Sequence, residues 1–293
     1  MSKLYLKGCG TALVTPFCDG EVDYEAYAAC VDRQVKAGVD FLVPLATTGE
    51  TPTLSAEEKL RLLDITKEHA SGKPLVAGVG TNSVQGTLAN MRLLSGHGAD
   101  AWLVVVPYYN KPTQEGQYRY FKAVAEASDK PIVIYNVPGR TGANMSADTA
   151  VRLAAECPNI IGTKEASGNY AQVSEIIRRA PEGFSVLSGD DDMTFAFMAT
   201  GGQGVISVAS NVAPSEVSAM CSAMLAGGLL KARELHHRLM PLFKGCFVES
   251  NPIPVKAALS QLGLIRSEVR LPLSEANENT QKVISQILSE LWK

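Results

Sequence analysis

One lysine in this sequence stands where lysines are seldom found. Lys164 ends the run IIGTK, which is typical of the last residues of a buried strand, and it precedes a small polar loop. Lysine is among the residues least often buried. A lysine attacks a ketone only as the free amine, and burial disfavours its charged form. Lys164 is therefore a candidate for forming an imine with a keto acid; the protonated imine would accept electrons while a carbon–carbon bond is made or broken.

Further reactive groups follow other apolar runs. Thr47 and Thr48 follow the second run along the chain, Tyr109 follows the fourth, and Tyr135 and Arg140 come at the end of the fifth. Tyr135 can pass a proton to and from the carbinolamine, and Thr47 can connect it to a second tyrosine. Amides and hydroxyls at Thr47 and Thr48 can hold a carboxylate next to the ketone. Arg140 offers a two-pronged donor for a second carboxylate.

The spacing of the apolar runs predicts the fold that brings these groups together. Eight short runs alternate with helical segments, which implies parallel strands joined by crossover helices. The runs begin near Thr11, Phe41, Pro74, Trp102, Pro131, Ile160, Phe184 and Gly204. Eight units within about 220 residues predict an α/β fold, a (β/α)8 TIM barrel, with a doubly wound open sheet as the alternative. Because barrel active sites lie at the C-terminal ends of the strands, the candidate residues would share one mouth.

The helical segments carry start signals and apolar faces. Ser55 and Glu58 form a capping-box pattern, and Asp148 lies in the first turn of a helix that starts at Ser146. The last 70 or so residues contain no strand-like run. They contain two apolar helical faces, formed by Val255, Ala258, Leu259 and Leu262 and by Ile284, Ile287, Leu288 and Leu291. We therefore predict a barrel with the catalytic site over residues 1–223 and a C-terminal helical domain over residues 224–293.

Composition argues against several partner classes. Of 293 residues, 46% are hydrophobic and 19% are charged, so a large core is possible. The net charge is −3 without a basic stripe, which argues against a nucleic-acid partner. No apolar stretch reaches the ~18 residues that span a bilayer, and the N-terminus lacks a signal-peptide core, so we expect no membrane association and a cytoplasmic location. The six cysteines form no CxxC pattern and are expected to be free thiols.

The predicted mouth lacks the groups that other mechanisms need. None of the four histidines ends a strand, as the base of a serine hydrolase or the ligands of a zinc-dependent aldolase would. There is no GxxxxGK[ST] loop, and Gly78 and Gly80 lack the third glycine of a dinucleotide fingerprint. The loop after the eighth run has no glycine, which disfavours a phosphorylated substrate or pyridoxal phosphate. We expect neither a metal nor an organic cofactor.

The motifs together resemble the dihydrodipicolinate synthase family, in the superfamily that includes N-acetylneuraminate lyase, over essentially the whole chain. TTGE at Thr47 is similar to the family's loop for the pyruvate carboxylate. GTKEASGN places Lys164 at the Schiff-base lysine. YNVPGRTG places Tyr135 at the general acid/base and Arg140 at the binder of the aldehyde's carboxylate.

The resemblance implies condensation of pyruvate with L-aspartate-4-semialdehyde to 4-hydroxy-tetrahydrodipicolinate, in the diaminopimelate route to L-lysine. It implies that Thr48 helps to hold pyruvate and that the backbone at Gly189 and Ile206 lines the site. PYYN places Tyr109 where the family has a tyrosine that crosses into the neighbouring subunit's site and moves protons there. The family suggests a homotetramer, arranged as a dimer of dimers.

Two other functions remain open. One is a related pyruvate-dependent aldolase or lyase, acting on a sugar acid of the N-acetylneuraminate or 2-keto-3-deoxygluconate type or on 4-hydroxy-2-oxoglutarate. The sialic-acid lyases resemble this chain at the lysine and the YNVP tyrosine but generally lack an arginine at position 140, so Arg140 favours a short acidic aldehyde. The other is a barrel kept only for binding or regulation.

The resemblance also bears on feedback by L-lysine. Inhibited members of the family typically carry histidine and glutamate where this chain has Ala56 and Gly86, with Lys59 nearby. A pocket for a cationic amino acid that loses a carboxylate and gains an ammonium binds it poorly. We therefore predict weak or absent inhibition by L-lysine.

Overall fold

Eight parallel strands closed into a barrel form the centre of the computed structural model, which describes residues 4–292. The first strand, β1, pairs with both the second and the eighth, and a bridge between Leu42 and Leu75 joins the second to the start of the third. The strands are β1 (Gly8–Ala12), β2 (Phe41–Val43), β3 (Val76–Gly78), β4 (Ala101–Val105), β5 (Ile132–Asn136), β6 (Ile160–Glu165), β7 (Ser185–Ser188) and β8 (Gly204–Ser207). The predicted TIM barrel is confirmed. The open sheet is excluded, because β1 pairs with β8.

Helices surround the barrel and extend beyond it. They are α1 (Tyr24–Lys36), α2 (Ala56–His69), α3 (Val84–Leu94), α4 (Gln114–Glu126), the single turn α5 (Pro138–Thr141), α6 (Ala147–Glu156), α7 (Tyr170–Arg179), α8 (Thr194–Ala199), α9 (Pro214–Leu225), α10 (Leu229–Gly245), α11 (Ile253–Gln261) and α12 (Glu278–Leu291). The predicted capping box of Ser55 and Glu58 is present at the start of α2, and Ser146 caps α6. A short hairpin, Phe17–Cys18 with Glu21–Val22, was not predicted.

Alternate residues of each strand face two apolar layers. The inner layer fills the barrel and includes Val133, Tyr135, Leu187 and Ile206. The outer layer, between strands and helices, includes Ile132 and Ile134 of the same β5 strand. Because side chains of a strand alternate between the faces of the sheet, this pattern decides which polar residues reach the interior.

Among the C-terminal helices, α12 packs on both α10 and α11, and α10 packs on α9. The two predicted apolar faces are buried at Val255, Ala258 and Leu259 of α11 and at Ile284 and Leu291 of α12. Residues 224–292 contain no strand, as expected. The division after residue 223 stays a prediction; α9 itself ends at Leu225. No helix in the described range of the chain has the length and apolar character to cross a membrane.

Candidate active site

Lys164 lies inside the barrel at the end of β6. Its register partners are Tyr135 on β5 and Leu187 on β7, which both belong to the inner layer. Lys164 is 3% exposed, and its Nζ lies 4.4 Å from the centroid of the Tyr135 ring. The structure therefore places a lysine amine against a phenol ring, shielded from bulk water.

Glu165, the next residue on β6, faces the other way. It is entirely buried, and its Oε2 accepts hydrogen bonds from Asn136 (3.3 Å), Ser167 (3.0 Å) and Gln172 (3.4 Å). Its Oε1 has no hydrogen-bond partner within the described part of the chain. Burial raises the pKa of Glu165 to about 7, although the three hydrogen bonds oppose this shift. The carboxylate next to the lysine in sequence is thus held by other partners.

Acidic groups beyond β7 are also affected by burial. Burial raises the pKa of Asp190 to about 6, and the charge of Asp192 adds to the shift, whereas the charge of Lys164 lowers it. Burial likewise raises the pKa of Asp191. Its carboxylate accepts hydrogen bonds from the hydroxyl of Ser207 and from the backbone amide of Val208, which follows β8. Lys164 therefore lies in a poorly solvated region, where charged forms of nearby groups are disfavoured.

A cavity of about 460 Å³ opens at the C-terminal ends of β2 to β5. Three of the predicted site residues line it: Thr47, Tyr135 and Arg140. A volume of this size suits a small-molecule ligand. Since Tyr135 lines the cavity and its ring also lies against Lys164, this tyrosine connects the buried amine to the open space.

The charges around the cavity favour anions. Arg140 and Lys59 line it. Among the described residues, Glu50 is the single carboxylate in its wall. Glu50 is already paired with Lys256, at 2.7 Å between Oε1 and Nζ, and both side chains are almost fully buried. The guanidinium of Arg140 is exposed and donates from Nη2 to the backbone oxygen of Asn251 at 3.1 Å. Positive charge therefore predominates at this mouth.

The two threonines occupy different depths. They begin a single 3₁₀ turn, Thr47–Gly49, and Glu50 ends it in the left-handed conformation with φ 52°. Amides in the first turn of such a helix have no acceptor within the helix. Thr47 faces the cavity, whereas Thr48 is 2% exposed and its Oγ1 accepts a hydrogen bond from Asn251 Nδ2 at 3.0 Å.

Neither Gly189 nor Ile206 lines the cavity, and Gly189 adjoins the lysine instead. A Cβ atom built on Gly189 would lie 3.1 Å from Cε of Lys164 and 2.7 Å from Cβ of Ala166. The amide of Gly189 donates to the backbone oxygen of Glu165 at 2.6 Å. Ile206 is fully buried in the inner layer. The absent side chain at position 189 thus leaves room for the lysine.

The structure does not bring Tyr109 to the cavity of its own chain. Its side chain is 88% exposed, its φ is 71°, and it does not line the cavity of its own chain. The neighbouring Tyr108 does line the cavity and is 40% exposed.

The sequence patterns predict no catalytic or binding role for Asn251 or for the pair of Glu50 and Lys256. A signal for the pair was present, because Lys256 interrupts the otherwise apolar stretch of α11 between Val255 and Ala257. A lysine in a buried helix face requires a partner. The partner itself lies 206 residues away along the chain and is not indicated by the sequence.

Comparison with known proteins agrees with this architecture. The model of the dihydrodipicolinate synthetase family matches residues 5–291. A 4-hydroxy-tetrahydrodipicolinate synthase of Thermotoga neapolitana is 48% identical, over 97% of this chain and 98% of the relative.

Two solved structures are closely similar. Dihydrodipicolinate synthase from Thermotoga maritima superposes with a TM-score of 0.97 at 46% identity, covering 98% of this chain and 99% of that chain. A structure described as a monomeric dihydrodipicolinate synthase variant gives a TM-score of 0.96 at 46% identity, covering 97% and 96%. The family predicted from the sequence motifs is confirmed: the chain belongs to the dihydrodipicolinate synthetase family.

Proposed function

We propose that this chain acts as a 4-hydroxy-tetrahydrodipicolinate synthase, a lyase that condenses pyruvate with L-aspartate-4-semialdehyde in the diaminopimelate route to L-lysine. The observation that carries the proposal is the buried Lys164 amine against Tyr135, next to a cavity with an excess of positive charge. The near-full-length relatives that bear this name support it.

The chemistry begins with attack of Lys164 Nζ on the ketone carbon of pyruvate. Loss of water from the carbinolamine gives the protonated imine, and loss of a proton from the methyl group then gives an enamine. The enamine carbon attacks the aldehyde carbon of the second substrate, whose oxygen takes up a proton and becomes the 4-hydroxyl group. The amine of the semialdehyde then displaces Lys164 from the imine carbon, which closes the ring and frees the enzyme.

In this proposal Tyr135 moves these protons; its ring lies against the lysine amine and also lines the cavity, which supports the assignment. Thr47 lines the same cavity and relays protons between Tyr135 and a second tyrosine, which we assign to Tyr109 of a neighbouring chain. The 88% exposure of Tyr109 on its own chain leaves its ring available for such a role.

The two substrate carboxylates bind at two different parts of the mouth. The turn at Thr47 and Thr48 holds the carboxylate of pyruvate through its amides and hydroxyls, beside the ketone that Lys164 attacks. Arg140, exposed at the rim, holds the carboxylate of the semialdehyde. Gly189 and Ile206 complete the wall around the lysine.

A role for Tyr109 in a neighbouring site requires at least a dimer, and we propose a homotetramer that works in the cytoplasm on these soluble metabolites. Light scattering coupled to size-exclusion chromatography tests the assembly. A monomeric chain with full activity would contradict the assignment of Tyr109.

Borohydride reduction in the presence of pyruvate tests the function. The chain should gain one reduced pyruvyl group, and peptide mapping should place it on Lys164. Lys164→Ala protein that traps pyruvate at another lysine would overturn the assignment. A panel of aldehydes then separates the reactions: L-aspartate-4-semialdehyde should give the highest kcat/KM, and a preference for a sugar aldehyde would point instead to a sugar-acid lyase.

A further inference from the structure

Asn251 lies between the two groups that we assign to the substrate carboxylates. Its side-chain Nδ2 donates to Thr48 Oγ1 at 3.0 Å, and its backbone oxygen accepts from Arg140 Nη2 at 3.1 Å. The residue is 5% exposed and lines the cavity. It comes from the connection between α10 and α11, more than 100 residues away from either partner along the chain.

The hydrogen bond from Asn251 fixes the direction in which Thr48 can donate. A hydroxyl carries one proton and two lone pairs. Because Thr48 Oγ1 accepts from Asn251 Nδ2, its own proton is directed away from that amide and stays free for another acceptor. A carboxylate is the acceptor that gains most from such a donor, since hydrogen bonds to charged groups are stronger than those between neutral groups.

A second contact from the C-terminal region holds the same turn, five residues after Asn251 along the chain. Lys256 of α11 binds Glu50 and also donates to the backbone oxygen of Thr15 at 2.9 Å. The other oxygen of Glu50, Oε2, accepts from the amide of Arg270 at 3.0 Å. The threonine turn is therefore attached to the C-terminal region at Thr48 and, just beyond its end, at Glu50.

We propose that Asn251 is a positioning residue for the reaction, an inference that rests on the proposed function. Its side chain orients Thr48 toward the carboxylate of pyruvate, and its main chain orients Arg140 toward the second substrate. The two roles are separable, because a substitution changes the side chain and leaves the backbone oxygen in place.

The test compares Asn251→Ala and Asn251→Asp with the wild type and with Gln261→Ala. Gln261 lies at the end of α11, the helix that follows Asn251, and donates to Gln281 on α12. Neither glutamine lines the cavity, so the loss of Gln261 loosens the same region without touching the site. Steady-state kinetics give kcat/KM separately for pyruvate and for the semialdehyde, because the two substrates enter in successive steps. Thermal unfolding of each variant is recorded in parallel.

We expect Asn251→Ala to lower kcat/KM for pyruvate about tenfold, the effect of one lost hydrogen bond that supports a charged ligand. Asn251→Asp should lower it further, by about a hundredfold. The aspartate carboxylate accepts the hydroxyl proton of Thr48 and repels the carboxylate of pyruvate. Asparagine and aspartate side chains are nearly equal in volume, so the change is one of charge and not of packing. In both variants kcat/KM for the semialdehyde should stay within about twofold of the wild type, as should both constants of Gln261→Ala.

Equal losses for both substrates, or an unchanged constant for pyruvate in Asn251→Asp, would overturn the inference. If Asn251→Ala does not fold, Asn251→Asp carries the test alone with the same readouts. Failure of the proposed function has a different signature: the wild type itself would neither trap pyruvate on Lys164 nor form product with the semialdehyde.

Discussion

Replacing the buried Glu165 by glutamine should stabilise this protein in a pH-dependent way. Burial raises the pKa of Glu165 from its ordinary value of 4.5 to about 7. The unfolded chain therefore loses this proton at a lower pH than the folded chain does. Between these two pKa values the folded state binds a proton that the unfolded state has released. The free energy of unfolding therefore falls as pH rises from about 4.5 through about 7. Glutamine resembles the protonated acid and has no proton to lose in this range.

The size of the effect follows from the two pKa values. Each unit of difference between the folded-state and unfolded-state pKa corresponds to about 1.4 kcal/mol. Full ionisation of Glu165 in the folded protein therefore opposes folding by about 3 kcal/mol. At pH 8 the variant should gain about this amount, which in a chain of this size raises the unfolding temperature by about 5 °C. At pH 5 the gain should fall below about 1 kcal/mol, because folded Glu165 is then protonated.

Differential scanning calorimetry of the wild type and of Glu165→Gln at pH 5 and pH 8 measures this difference. Glu175→Gln serves as the matched control, because Glu175 is exposed on α7 and forms an ion pair with Arg178. It should not gain stability at pH 8, since its paired carboxylate has a lowered pKa. The reasoning fails if Glu165→Gln shows the same shift in unfolding temperature at both pH values.

Three further predictions concern packing, the buried ion pair and regulation. Gly189→Ala should lower kcat about tenfold, because its Cβ would lie 2.7 Å from Cβ of Ala166 and 3.1 Å from Cε of Lys164, so that both residues must shift; an unchanged kcat would mean that the lysine does not need this space. Lys256→Met should destabilise the fold by about 3–5 kcal/mol in urea unfolding, because Glu50 would be left buried without its partner, and the double variant with Glu50→Gln should recover most of the loss. L-lysine should inhibit weakly or not at all, and strong inhibition at sub-millimolar L-lysine in a steady-state assay of the condensation would contradict this.

The barrel is predictable from the sequence because its eight strands are buried on both faces and therefore appear as apolar runs. The same rule locates the ends of the strands, which explains why Thr47, Tyr135 and Arg140 can be placed at one mouth before any coordinates are known. Lys164 is recognisable because a cation in such a run has no ordinary reason to be there.

The remaining features depend on contacts between distant segments. The hairpin of Phe17–Cys18 and Glu21–Val22 is too short to leave a periodic pattern. The hydrogen bond from Asn251 to Thr48 spans 203 residues, and no local propensity encodes it. The pKa of Glu165 likewise depends on its complete burial and on a hydrogen bond from Gln172 of α7, neither of which sequence alone reveals.

The contacts that the threonine turn makes with residues 251 and 256 have a consequence for how the protein folds during synthesis. During synthesis, Thr48 and Glu50 leave the ribosome some 200 residues ahead of the partners that fix them. Contacts of such long sequence separation form late in folding. A nascent chain that has already completed all eight strands thus still lacks these contacts at the mouth, and we expect turnover only after residues 251 and 256 have emerged and docked.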